Sequence, residues 1–380
     1  MLAGGGTAGH VNPLLAVAEE LRRRDASTAL SVLGTATGLE ARLVPEHGLP
    51  LELVPRVPLP RRPSVDLLRL PGRLAGAVRA AGETIDRTGA QVVVGFGGYV
   101  STPAYLAARR RGLPVVVHEA NARPGLANRL GARWAAQVGV TFPGTPLPGA
   151  QVVGMPLRAA VAGLVERRSA DAAGTRRDAA AALGLDADRR TVLVTGGSSG
   201  AVSLNAAVAA VAADLLVTGA QVLHLTGTGK DAAVRSVLPT GEAGQRYHVR
   251  EYLSEMELAY AVADLVVCRS GAATVCELAA LGLPAVYVPL PIGNGEQRLN
   301  AAPLVQAGGG LLVADDDLGP AWLRGQVLPL LADPGRLDAM GRAAARAGTV
   351  DGAARVADLV ELAVAGGPAR PARSATPEPR

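Results

Sequence analysis

The chain has 380 residues, 49% of them hydrophobic and 19% charged, a length for two domains and an apolar fraction that excludes wholesale disorder. Two cysteines, Cys268 and Cys276, exclude a disulfide framework and a four-cysteine zinc site, and the five histidines stand singly, so no metal-ligand spacing is present. The net charge of +5 is local, with Arg56, Arg61, Arg62, Arg69, Arg73 and Arg79 set against Asp66 alone, and 3% aromatic residues leave no stacking platform for nucleic acid.

In chain order, Leu2 and Ala3 are the only strand candidates before a glycine-rich turn, Gly4-Gly5-Gly6-Thr7-Ala8-Gly9-His10. Such a turn normally follows a full strand. Either this strand is very short or the natural chain begins upstream of Met1, and the second reading is preferred. Beyond the turn, short β-branched runs alternate with Ala/Leu-rich helical stretches. Strands are expected at residues 30–33, 91–94, 115–117 and 138–141, then at 191–195, 221–225, 265–268 and 285–288. Apolar runs without alternation suit parallel strands covered on both faces, and βα alternation builds open parallel sheets. Two α/β sheets are expected, with a boundary near residues 153–158, and residues 167–177 read as a surface loop. Residues 88–108 and 191–213 lack charge over the length of a membrane span, but glycines break both, so each reads as strand, turn and helix. The N-terminus has no signal-peptide pattern, which points to a cytosolic protein that need not avoid membranes.

Four segments carry candidate chemistry. In the first turn, glycines and the opening amides of the following helix favour a phosphate by about 0.3–2 kcal/mol per charge. Its Gly4-x-Gly6-x-x-Gly9 spacing formally matches the dinucleotide fingerprint, but no acid precedes Glu40 after the next strand, so NAD binding is disfavoured. A second turn, Gly196-Gly197-Ser198-Ser199-Gly200-Ala201, makes another anion cradle. It lacks the Walker lysine, and Lys230 lacks the required glycine spacing, so a P-loop NTPase is disfavoured as well. In Arg269-Ser270-Gly271-Ala272-Ala273-Thr274-Val275-Cys276-Glu277, a helix starting at Ala272 puts Glu277 about one and a half turns in. There it could accept both hydroxyls of a ribose, or stand as an ordinary helix glutamate. His118-Glu119-Ala120-Asn121 and Gly97-Gly98-Tyr99-Val100-Ser101 end neighbouring strands, where open α/β sheets bind ligands; they also read as turn residues and caps.

His10 stands at a helix start, where a neutral imidazole can take a proton from an attacking hydroxyl; Glu119 is the other candidate base. The basic stretch 55–79 interleaves arginine with Leu59, Leu67, Leu68, Leu70 and Leu74, which suits either an anionic bilayer surface or a solvated helix. Asp315-Asp316-Asp317 reads as a solvated loop rather than a metal site.

Together with Gln297-x-x-Asn300-Ala301, these motifs in this order resemble the MurG-type N-acetylglucosaminyltransferases of peptidoglycan synthesis, from Leu2 to about Ala365. The resemblance implies the glycosyltransferase B fold, two Rossmann-like domains facing each other across a cleft. It implies inverting transfer of N-acetylglucosamine from UDP-GlcNAc to the C4 hydroxyl of the muramoyl sugar of lipid I, giving lipid II. Residues 1–155 would form the acceptor and membrane-associating domain and residues 156–350 the donor domain. Residues 351–365 would form a helix packing back on the first domain, and 366–380 a disordered tail.

By the same resemblance, Thr7, Ala8, Gly9, Asn121, Arg158, Ser198, Leu253, Ala272, Ala273, Thr274, Glu277, Gln297 and Asn300 would bind the donor. Gly5, Gly6, Gly98, Tyr99 and Ser101 would receive the acceptor diphosphate, and His10 or Glu119 would be the base. Leu67, Leu68, Arg69 and Arg73 would meet anionic inner-leaflet lipids at the cytoplasmic face of the cell membrane. No cofactor or metal is implied, because helix amides can take the charge of the departing UDP. Ser199 stands where the family's Gly-Gly-Ser-Gln-Gly turn has glutamine, and Glu296 where a second glutamine is common. Other readings are another UDP-sugar enzyme of this fold, such as an epimerase, or a non-catalytic UDP-sugar-binding membrane scaffold.

Overall fold

A computed structural model describes residues 1–57, 65–197 and 199–366, with residues 65–69 described by their backbone alone. Seven parallel strands form the first sheet: β1 (Leu2–Ala3), β2 (Val32–Gly34), β3 (Leu51–Leu53), β4 (Val93–Gly95), β5 (Val115–Glu119), β6 (Gln137–Val140) and β7 (Ala150–Val152). Their order is β3-β2-β1-β4-β5-β6-β7. Six strands form the second: β8 (Thr191–Thr195), β9 (Gln221–Leu225), β10 (Tyr247–Arg250), β11 (Leu265–Cys268), β12 (Ala285–Tyr287) and β13 (Gly310–Leu312), ordered β10-β9-β8-β11-β12-β13. Met1–Pro156 and the helix Gly352–Ala365 belong to one compact unit, Leu157–Val350 to the other.

Strand β1 has two residues and pairs fully on both sides. Leu2 aligns with Val32 and Val94, and Ala3 with Leu33 and Gly95. In each sheet the strand order reverses beside the first strand, between β1 and β4 and between β8 and β11. A parallel sheet opens a crevice at that point, beyond the carboxyl ends of its strands. Both glycine turns leave the sheet there.

Helices cover both faces because β5, β8, β9 and β11 are buried along their whole length. On one face of the first sheet, Val11, Leu14, Val17 and Leu21 of the helix Ala8–Arg24 share a core with Val356, Leu359 and Val360 of the helix Gly352–Ala365. Arg24 ties the two helices, 2.7 Å from Asp358 and 2.8 Å from the carbonyl of Ala354. The other face packs Val78, Ala81 and Ile85 beside Val100, Ala104 and Tyr105.

Two expectations change. Residues 167–177 are helical, at the junction of Ala159–Ala170 and Ala172–Leu183. Asp171 caps the second helix by accepting the Gly174 amide at 2.8 Å, and Arg176 turns inward to Asp264 and the Val262 carbonyl. Two of the charges thus serve capping and packing, while Arg167 and Arg177 stay exposed on the surface. Strands β3, β7, β10 and β13 were not foreseen; all are edge strands. Of the basic stretch, residues 58–64 and the side chains of Leu67, Leu68 and Arg69 lie outside the described residues, as do Ser198 and residues 367–380. Arg73 is exposed on the helix Val65–Thr88. Among the described residues no helix is long and apolar enough to cross a membrane.

Candidate active site

The turn after β1 contains Gly6 at φ +87°, then Thr7 in extended conformation opening the helix Ala8–Arg24. The Thr7 carbonyl accepts the His10 and Val11 amides, each at 3.1 Å, and the amides of Ala8 and Gly9 have no intrahelical acceptor. His10 Nδ1 lies 3.1 Å from the Gly5 carbonyl oxygen and 3.2 Å from Thr7 Oγ1. A carbonyl only accepts, so in the neutral ring Nδ1 carries the proton and Nε2 the lone pair. Nε2 has no partner among the described residues. Gly97 and Gly98, at φ +95° and +83°, form the wall beside the ring. A Cβ on Gly97 would stand 3.0 Å from His10 Cδ2, and one on Gly98 2.5 Å from the Gly5 oxygen.

Ser101 is fully buried. Its Oγ accepts the Gly97 amide at 3.0 Å and lies 2.8 Å from the Gly97 carbonyl, so it shapes the turn rather than facing a ligand. Tyr99 is exposed, with the Arg56 guanidinium 5.6 Å from its ring centroid.

Glu119, at the end of β5, is buried and heavily engaged. Oε1 accepts the Asn121 amide at 2.9 Å; Oε2 accepts the Gly125 amide and Asn128 Nδ2, both at 3.0 Å. Tyr105 completes the network by donating to Asn128 Oδ1 at 2.8 Å. This carboxylate builds the loop that presents Asn121. His118 turns inward, Nε2 donating to the Gly154 carbonyl at 3.2 Å, and burial pulls its pKa down to about 4.

In the second unit, Gly271 precedes the helix Ala272–Leu281, so Ala272, Ala273 and Thr274 supply its opening amides. Glu277 is buried in this helix: Arg158 Nε donates to Oε1 at 2.8 Å and the Tyr260 hydroxyl to Oε2 at 2.9 Å. Burial works against the charge of Arg158, but the Glu277 carboxylate outweighs it and raises its pKa above the ordinary guanidinium value. Each Glu277 oxygen retains acceptor capacity beyond these bonds. Asn300 is fully buried, Nδ2 3.5 Å from the Ser270 carbonyl; Gln297 Oε1 accepts the Leu290 amide at 3.0 Å. Both brace loops. Leu253 is buried.

The turn after β8 rests on backbone. Gly200, at φ +67°, packs so closely that a Cβ would overlap the Thr226 carbonyl. Asn205 Nδ2 donates to that carbonyl at 2.8 Å while its Oδ1 lies 3.0 Å from His224 Nε2. His224 therefore donates through Nε2, and its Nδ1 accepts the Tyr247 hydroxyl at 2.8 Å. Burial lowers the pKa of His224 to about 4. The Asp315–Asp317 segment is not simply solvated: Asp315 is ion-paired with Arg269 and accepts Ser203 Oγ at 2.8 Å, while Asp316 and Asp317 are exposed. Among the described residues no cluster of three His, Cys, Asp or Glu is placed to hold a metal ion.

The sequence reading missed three residues that matter: Glu40, Asn128 and Tyr260. In the sequence Glu40 stands out only as an acid in the wrong place for NAD. Tyr260 and Asn128 lie within short helices whose sequences carry no motif.

Two Rossmann-like halves with a glycine turn at each reversal of strand order define an enzyme of the glycosyltransferase B fold. Residues 1–140 match the glycosyltransferase family 28 N-terminal domain and residues 191–356 its C-terminal domain, and the chain belongs to that family. The UDP-N-acetylglucosamine--N-acetylmuramyl-(pentapeptide) pyrophosphoryl-undecaprenol N-acetylglucosamine transferase of Clavibacter michiganensis is 57% identical, over 98% of both chains. The like-named protein of Streptomyces coelicolor is 52% identical, over 96% of this chain and 98% of its own. Among solved structures, Acinetobacter baumannii MurG superposes with a TM-score of 0.75 at 28% identity, covering 95% of this chain and 99% of its own. The UDP-GlcNAc 2-epimerase of Neisseria meningitidis shares the fold at 14% identity, with a TM-score of 0.69 over 95% of this chain and 99% of its own.

Proposed function

We propose that the chain transfers N-acetylglucosamine from UDP-GlcNAc to the C4 hydroxyl of the muramoyl sugar of lipid I, giving lipid II with inversion at the anomeric carbon. Relatives bearing that activity in their names align over nearly the whole chain. The observation that carries the mechanism is the 3.1 Å contact between His10 Nδ1 and the Gly5 carbonyl oxygen: a carbonyl only accepts, so the neutral ring carries its proton on Nδ1 and leaves the Nε2 lone pair to act as base.

In this reading the first unit receives the acceptor. Its diphosphate lies against the amides of Ala8 and Gly9, which the sequence resemblance places among the donor contacts, with Gly98 and Tyr99 beside it. His10 Nε2 takes the proton of the C4 hydroxyl, the C4 oxygen attacks the anomeric carbon, and the bond from that carbon to the UDP oxygen breaks with its electron pair leaving on UDP. The second unit receives the donor. The opening amides of the helix Ala272–Leu281 meet the charge developing on UDP, so no metal is needed for the step. The lone pairs of Glu277 not used by Arg158 and Tyr260 accept the ribose hydroxyls. Glu119, fully committed to its loop, orients Asn121 and is not the base. The basic segment around Arg73 holds the protein peripherally on anionic lipids at the cytoplasmic face of the membrane.

The test is UDP release from UDP-GlcNAc with and without a short-chain lipid I analogue, in chelator. Acceptor-dependent release that His10→Ala abolishes, with donor binding retained, supports the reading. Release independent of acceptor, or unchanged in His10→Ala, overturns it.

A further inference from the structure

Glu40 opens the short helix Glu40–Glu46 and is fully buried behind the first glycine turn. Oε2 accepts the Gly6 amide at 2.8 Å; Oε1 accepts the Thr35 amide at 3.0 Å and Thr35 Oγ1 at 2.8 Å. Three glycines make room for it. A Cβ on Gly5 would stand 2.5 Å from Oε1, one on Gly34 2.7 Å from Cγ, and one on Gly38 would overlap Oε2. Burial works against the charge, yet the donors from Gly6 and Thr35 hold the pKa below the ordinary carboxylate value.

The Gly6 N–H and the Gly5 C=O belong to a single peptide plane. From one edge of that plane the N–H donates to Glu40; from the opposite edge the C=O accepts Nδ1–H of His10 at 3.1 Å. A carboxylate on the N–H polarises the amide and strengthens its carbonyl as an acceptor. It also locks the plane, because rotating the peptide would break both bonds at once.

We infer that Glu40 is the positioning residue of this turn: through the Gly5-Gly6 peptide it sets the tautomer of His10, and it withdraws the Gly6 amide from ligand binding. The second part corrects the expectation that Gly6 donates to the acceptor diphosphate. Negative charge behind the turn directs an anionic ligand to the amides of Ala8 and Gly9. The role in turnover rests on His10 being the base; the role in the tautomer does not.

The test compares Glu40→Gln and Thr35→Val with the unaltered full chain, using the lipid I analogue, donor titration, amide exchange and ¹⁵N spectra of histidine-labelled protein. In Glu40→Gln, Gly6 exchange rises, His10 loses its pure Nδ1–H signature, and kcat falls about 30–100-fold while the donor Kd stays within twofold. Thr35→Val moves the same readings by a smaller amount, and Thr35→Ser restores them. A folded Glu40→Gln with an unchanged His10 spectrum and unchanged kcat overturns the inference. If Glu40→Gln fails to fold, an unaltered spectrum in Thr35→Val overturns it instead. Turnover surviving in His10→Ala would sink the base assignment alone, leaving the exchange and tautomer readings to decide the role of Glu40.

Discussion

The turns after β1 and β8 occupy equivalent places in their sheets and are held in opposite ways. A buried carboxylate supports the first: Glu40 takes the Gly6 amide and stands against Gly5, Gly34 and Gly38. The second is supported by backbone packed on backbone, Gly200 against Thr226 and Gly227, over the neutral chain Asn205–His224–Tyr247. Counting glycines does not tell these apart. What a turn offers an anion depends on which amides remain unpaired and what charge lies behind them. The first turn commits one amide to a carboxylate, whereas the chain under the second carries no charge and the Lys230 ammonium meets its Ser199 carbonyl.

The largest effects come from closing the turns. Gly200→Ala, with a positive φ and the Thr226 carbonyl in its way, should cost about 3 kcal/mol of stability and abolish donor binding. Gly98→Ala, meeting the Gly5 oxygen, should leave the donor Kd intact and remove turnover. Denaturant melts and donor calorimetry check both; loss of donor binding in Gly98→Ala would erase the contrast between the turns.

Next in size, Glu277→Gln leaves Arg158 without its carboxylate. Donor affinity should fall at least about tenfold, with on the order of 2 kcal/mol lost in stability. Tyr260→Phe removes one donor and should cost about 1 kcal/mol. If either variant weakened acceptor rather than donor, the assignment of the second unit would be wrong.

Acid probes one histidine in each unit. Burial lowers His118 and His224 from 6.5 to about 4, so both are neutral when folded. Unfolding lets each take up a proton below its ordinary value. Their contribution is full above pH 6.5 and declines as pH falls toward 4, by about 1.4 kcal/mol per pH unit per histidine. Urea midpoints across that window should show the slope, and His224→Gln should flatten part of it. The smallest effect is Lys230→Met. Lys230 donates to the Ser199 carbonyl from an exposed position, and its loss should weaken donor binding about two- to fivefold.

Much of the fold is legible because its signals are local. The strands at Thr191–Thr195 and Leu265–Cys268 stand where the apolar runs at residues 192–194 and 265–267 place them, since parallel strands buried on both faces favour apolar side chains, and Gln221–Leu225 keeps the pattern around Val222, Leu223 and Leu225. Edge strands β3 and β7 are half-buried or exposed and carry no such run. Asp171 explains why a charged stretch read as a loop is helical: one side chain caps a helix that the run of small residues then continues.

The sequence by itself determined the two α/β halves, both glycine turns, the helix carrying Glu277 and the place of His10 at a helix start. All of these follow from spacing along a few consecutive residues. Only the tertiary structure decided what those groups do. Glu40 reaches Gly6 across 34 positions, Arg158 reaches Glu277 across 119, and Glu119 is spent on its own loop. Such pairings arise because a buried carboxylate must gather donors from whatever backbone and side chains the fold brings within hydrogen-bonding distance, and no local pattern in the chain records which those will be.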